Sequence, residues 1–125
     1  MERQRVRTFR DLEVWQRGME VAREIYRLTR QFPREELFGL TSQMRRAAVS
    51  VPSNIAEGHA RTGTREFLHG LSMALGSLAE AQTQVELAAD LGYLPVGARD
   101  GLLARAETLA KMLNALIRTL RRSSS

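Results

Sequence analysis

A seven-residue spacing limits the folds open to this chain more than any other feature. From Phe67 to Ala88 apolar residues return in two interleaved sevens, Leu71, Leu78 and Val85 beside Phe67, Ala74, Ala81 and Ala88. A repeat of 3.5 residues suits helices that cross at about 20°, as they do in bundles. Leu102, Ala106, Leu109, Leu113, Leu116 and Leu120 step by fours and threes, and Leu103, Ala110 and Ile117 widen them to a second seam. These patterns predict a helix over about 65–91 and another over about 96–120. Gly92-Tyr93-Leu94-Pro95 between them supplies a C-cap, a turn and a proline suited to a first helical turn. Gly76 and Ser77 sit in mid-helix at a cost of about 1 kcal/mol in propensity, which predicts close contact with another backbone.

Toward the N-terminus, a helix is expected from near Asp11 to Arg30. It carries two apolar stripes: Leu12, Trp15, Met19, Ala22 and Tyr26, then Val14, Val21, Ile25, Leu28 and Phe32. Together they span roughly 180°, wider than one core contact needs, which points to self-association. Trp15 reads as a core or interface anchor. Phe32-Pro33 ends this helix, because the residue before proline avoids the α region. Residues 33–40 form a connector with at most one helical turn, in which Leu37 and Phe38 are expected to plug one end of the fold. Thr41 is the expected N-cap of the next helix. Pro52 lies inside it and should kink or interrupt it by removing the bond to the Ala48 carbonyl. Ser50 and Asn54 are placed to bond the freed groups, and Ala47, Ala48 and Gly58 would admit a close neighbour. Thr62-Gly63-Thr64 is the following turn. Every connector is short, so the expected fold is all-α: an antiparallel up-down-up-down four-helix bundle over 11–121. A basic arm, 1–10, with Arg3, Arg5, Arg7 and Arg10, precedes it, and a disordered tail, 122–125, follows.

The second helix also carries a polar seam. Gln43, Arg46, Ser50, Asn54, Glu57 and Arg61 fall within an arc of roughly 80° beside its apolar face. One account is a solvated flank, with a Glu57–Arg61 pair worth a few tenths of a kcal/mol. The other is a row of side chains bonding a neighbouring helix, in this chain or another. Glu80 would meet Arg46 or Arg61 if the third helix packs beside the seam.

Charge narrows the partner. Nineteen Lys and Arg against fourteen Asp and Glu leave a net charge of +5, which favours an anionic partner, nucleic acid before acidic lipid. The basic residues are all Arg except Lys111, and none lies between Leu68 and Ala98. Arginine forks suit phosphate, and Arg7, Arg10, Arg45, Arg61 and Arg65 are the candidate nucleic-acid contacts. Cysteine is absent, which excludes disulfides and thiolate metal sites and suits a reducing cytoplasm. No apolar run is long enough for a signal peptide or a membrane span. His59 and His69 stand alone, without metal-ligand spacing, and no glycine-rich phosphate loop appears. No cofactor is expected, and no catalytic activity.

Gln43…Arg45-Arg46-Ala47-Ala48…Ser50…Asn54-Ile55-Ala56-Glu57-Gly58…Arg61 resembles the signature of the four-helix-bundle proteins encoded in intervening sequences of 23S ribosomal RNA genes, the S23 ribosomal protein family. The accessory variability proteins of diversity-generating retroelements are similar. The likeness extends through Glu66-Phe67-Leu68, Ala74-Leu75-Gly76-Ser77 with Glu80, and Leu91-Gly92-Tyr93-Leu94, and back to Asp11-Leu12-Glu13-Val14-Trp15 and Phe32-Pro33. One departure is Gly63, where the family tends to place Ser. The resemblance implies a homopentameric barrel, in agreement with the wide apolar faces of the first and last helices. It leaves two functional expectations. The first is a non-enzymatic oligomer that binds nucleic acid, RNA before DNA, by arginine–phosphate contacts. The second is a protein–protein scaffold whose seam residues Arg46, Asn54 and Glu57 join subunits, with a reverse transcriptase as partner if the gene lies in a retroelement cassette.

Overall fold

Four helices form where the apolar periodicity predicts them: α1 (Glu13–Thr29), α2 (Leu40–Ala60), α3 (Thr64–Asp90) and α4 (Val96–Ser124). The computed structural model describes residues 6–124, so Arg3 and Arg5 of the expected arm lie outside the described residues. Residues 61–63 join α2 to α3 and residues 91–95 join α3 to α4. At about 3.5 Å per residue neither link can run back along a helix, so both pairs are antiparallel. The α1–α2 connector meets the α3–α4 turn at one end. There the Phe32 and Tyr93 rings stand 5.5 Å apart, and the Tyr93 hydroxyl donates to Glu36 Oε2 at 2.9 Å. The order is up-down-up-down, with α1 and α3 each between α2 and α4 and diagonal to one another.

The heptad residues supply the core. Leu71, Leu78 and Val85 of α3 and Leu109 and Leu113 of α4 are fully buried against Ile25, Met44, Val51 and Ile55. Truncating one such side chain to Ala costs about 2–5 kcal/mol. The closest approach is between α2 and α3. A Cβ on Gly70 would lie 2.6 Å from the Asn54 carbonyl oxygen and 2.8 Å from Gly58 Cα. The close neighbour that Gly58 admits is therefore Gly70. At its far end α3 closes in a Schellman turn. Gly92 has φ +80°, Tyr93 N–H bonds the Ala88 carbonyl at 2.9 Å and Gly92 N–H bonds that of Ala89 at 3.0 Å.

Several expectations need correction. Helix α2 starts one residue before Thr41, which is buried in its first turn. Glu36 Oε1 accepts the Leu40 N–H at 3.0 Å, so a carboxylate from the connector performs the expected cap's task. Leu37 and Phe38 do not plug the bundle: Phe38 is 93% exposed, and Phe32, Leu40 and Leu94 fill that end. Gly76 meets no other backbone, since a Cβ there has nothing within 4 Å. Pro52 does not interrupt α2. Its ring is buried facing Gly18 of α1, where a Cβ would lie 3.5 Å from Pro52 Cβ. Ser50 Oγ donates to the Arg46 carbonyl at 2.9 Å and Asn54 Nδ2 to that of Ser50 at 2.7 Å, so neither turns to Ala48. Helix α4 continues to Ser124 and takes in residues assigned to a disordered tail.

The last part of the arm is folded as well. Thr8 Oγ1 accepts the Arg10 N–H at 3.2 Å and opens a 3-10 turn over Phe9–Asp11. Asp11 Oδ2 accepts the Arg7 N–H at 2.8 Å and the Thr8 N–H at 3.2 Å. Those backbone donors, Arg7's first, hold the Asp11 carboxyl below the usual carboxylate range. Phe9 then lies edge-on to Trp15 at 5.3 Å between ring centres.

Candidate nucleic-acid interface

The antiparallel order gathers three separate stretches at the end of the bundle opposite Tyr93: the start of α1, the α2–α3 turn and the C-terminus of α4. Each brings arginine. Arg7 and Arg10 come from the first, Arg61 and Arg65 from the second, and Arg118, Arg121 and Arg122 from the third, all exposed. Helices α2 and α4 both end here, so their carbonyl dipoles favour cations by about 0.3–1 kcal/mol each. The Arg10 guanidinium sits over the Phe9 ring, 4.6 Å from its centre. Arg61 Nη2 is 3.8 Å from Glu57 Oε2, an exposed i,i+4 pair of the weak kind. Arg65 makes no ion pair among the described residues.

Arg45 is not part of this group. It lies in the second turn of α2, near the opposite end, where its Nε donates to Thr29 Oγ1 at 2.9 Å and its guanidinium covers Tyr26 at 4.7 Å. Thr29 in turn donates to the Ile25 carbonyl at 2.7 Å. The half-buried Arg45 therefore ties α2 to α1, and its chemistry is largely used inside the bundle.

Only the second half of the polar seam of α2 lies beside α3, while Arg46 and Ser50 line a hollow on the outer side of the helix. Asn54, Glu57 and Arg61 face Glu66, His69 and Met73 across a recess of about 280 Å³ floored by Gly58 and Gly70. Its bonds are nevertheless local: Ser50 and Asn54 bond carbonyls one turn back, while Gln43 and Arg46 are exposed. Glu80 takes a long bond from Gln84 Nε2 at 3.5 Å, and among the described residues no ion pair joins it to Arg46 or Arg61.

A third feature lies on the outer face of α1 and α2. Phe9, Trp15, Met19, Tyr26, Val49 and Ala56 line an open groove of about 630 Å³, with Arg23 and Arg30 at its edge. It shares Tyr26 and Val49 with a second hollow of about 560 Å³ that reaches Leu37, Phe38 and Arg46. Trp15, Met19 and Tyr26 bring part of the first stripe of α1 to this groove, while Ala22 of that stripe is buried with Val14, Val21 and Ile25. Among the described residues no helix is long and apolar enough to cross a membrane, and no three His, Asp or Glu gather as metal ligands.

Sequence reasoning overlooks Gly70, the Glu36–Tyr93 link and the C-terminal arginines. The up-down-up-down order already implies that the end of α4 returns beside the α2–α3 turn; treating 122–125 as tail hides it. Gly70 carries a signal too, a glycine inside an apolar heptad stretch.

A sequence profile described as 23S rRNA-intervening sequence protein matches residues 10–115. Among solved structures, a protein of unknown function from the S23 ribosomal protein family of Bacteroides thetaiotaomicron is similar. It is 23% identical, with a TM-score of 0.78 over 84% of this chain and 95% of that one. At that identity the likeness speaks for the four-helix fold alone. No curated protein matches the chain.

Proposed function

From the premise that this chain belongs to the 23S rRNA-intervening sequence protein family, we propose that it is a non-enzymatic, homo-oligomeric nucleic-acid-binding protein of the cytoplasm, with RNA preferred to DNA. The observation that carries this reading is the convergence of Arg7, Arg10, Arg61, Arg65, Arg118, Arg121 and Arg122 on one end of the bundle. A preference for RNA has its support in the ribosomal RNA of the family's name. A ring of subunits, five by the family resemblance, would present the same cationic end several times over. Multivalent contact of this kind raises avidity without new chemistry.

Binding by arginine–phosphate contacts is weakly sequence-specific and strongly salt-dependent, because each contact releases a counterion. The test is fluorescence anisotropy with a structured RNA fragment across a salt series. Replacing Arg61 and Arg65 by Gln is expected to make the slope of log K against log salt shallower, by about 0.7–0.9 for every phosphate those side chains neutralise. An affinity that stays flat as salt rises would refute the mechanism. A second reading, a partner-recruiting scaffold, has support in the uncovered groove of α1 and α2. A reverse transcriptase would be its partner if the gene sits in a retroelement cassette.

A further inference from the structure

The groove on α1 and α2 and the outward face of α3 are opposite in character. On the groove side the apolar lining is edged by Arg23 and Arg30, with Arg46 along the adjoining hollow, and none of these three is in an ion pair among the described residues. Tyr26 and Val49 are 41% and 43% exposed there. On α3, Met73, Gly76, Glu80, Thr83, Leu87 and Leu91 fall within an arc of about 80° on the helix wheel, with Met73 at the margin toward the α2 recess. Met73, Leu87 and Leu91 are about half exposed. No Lys or Arg occurs between Leu68 and Ala98, whereas Glu80, Glu86 and Asp90 do, none of them in an ion pair among the described residues. One face is thus an apolar trough edged with unpaired cations; the other is a ridge of Met73, Leu87 and Leu91 with the unpaired Glu80 carboxylate among them and Glu86 and Asp90 along one edge. Gly76 lies on that ridge with open space over it.

We infer that the outward face of α3 in one subunit seats in the α1–α2 groove of the next. This inference rests on the homo-oligomeric reading above and names the two surfaces that make it. Charge complementarity selects the pair: two grooves facing each other would oppose Arg23 and Arg30 to their own copies, and two α3 faces would oppose carboxylates. Because α1 and α3 are diagonal in the bundle, one contact uses a different patch on each partner. Such a heterologous contact leaves one groove and one ridge free and propagates until a ring closes. It also explains the open space at Gly76: its cost in helix propensity has no return inside the chain, and the approaching backbone comes from the neighbour.

The test exploits that asymmetry, with oligomeric state read by native mass spectrometry and folding by circular dichroism. Val49→Glu places an anion in the trough. Gly76→Arg replaces a helix-weakening residue by a helix former in open space, so it does not threaten folding. Each variant alone is expected to be a folded monomer of 14.1 kDa. Mixed one to one, they retain one intact ridge and one intact trough between them and are expected to associate where neither variant does alone. If Gly76→Arg assembles like the parent, α3 is not the ridge and the inference fails. It fails equally if Val49→Glu assembles normally but no longer retains RNA, which would make the groove a nucleic-acid surface. A parent chain that is monomeric would instead remove the oligomeric reading itself, a result distinct from either.

Discussion

Helix α2 is treated in opposite ways on its two flanks. Toward α3 its backbone is in contact with another backbone, Gly58 on Gly70, and there is no room for even one added methyl group. Toward the outer side of α1, Gly18 faces Pro52 and Arg45 reaches Thr29. Between those points Tyr26 and Val49 lie under solvent, and the half-buried Trp15 lines the groove beyond Gly18. Small residues are thus placed on the flank that closes within the chain, and large apolar ones on the flank that does not. For a single subunit this looks wasteful, since an uncovered aromatic groove contributes little to its folding and favours association. For a subunit of an assembly it is a division of labour.

Four experiments test that contrast. The largest effect is expected on the closed flank: Gly70→Leu forces the helices apart and should lower stability by about 3 kcal/mol or more, read by denaturant unfolding. Thr29→Val removes the partner of the Arg45 Nε on the open flank. It should cost about 1 kcal/mol, the usual worth of one such bond. Val49→Ser, measured at a dilution where the chain is monomeric, should change stability by less than about 0.5 kcal/mol, as exposed substitutions do. An equal penalty for Gly70 and Val49 would erase the distinction between the flanks.

The fourth experiment concerns the start of α2. The Leu40 N–H, and after it the Tyr93 hydroxyl, hold the Glu36 carboxyl below the usual glutamate range. The same contact pushes the Tyr93 hydroxyl up. A depressed carboxyl contributes stability that is complete above the ordinary glutamate titration and fades as pH falls through the folded value. The parent should therefore lose melting temperature on acidification more steeply than Glu36→Gln. Parallel curves would show that Glu36 does not link the two turns in solution.

Much of the fold is legible because its signals are local. The heptads from Phe67 to Ala88 and from Leu102 to Leu120 locate α3 and α4, and Gly92 before Pro95 marks the turn between them. What stays hidden depends on contacts distant in sequence. The cap of α2 comes from Glu36, oriented by Tyr93, 57 residues on, and no capping rule read along the chain reports that. Leu37 and Phe38 look like core residues by composition alone and lie on the surface. Arg45 stands next to Arg46 and resembles it in every sequence property, yet Thr29 and Tyr26 occupy it. Proline inside α2 reads as a helix breaker, but the matching glycine on α1 gives its ring a place. For the candidate interface, residue types are legible from charge, whereas their meeting at one end requires the topology.

The meeting of Gly58 with Gly70 has a consequence for how such a chain can vary. Two bare backbones in contact act as a detent, because sliding one helix along the other brings a side chain into the notch. The residues linking them, 61–63, lie directly beyond it, so the loop cannot shorten there without pulling the notch out of step. Deletions are better borne at the opposite pole of the molecule, next to Phe38, where the chain already bulges into solvent.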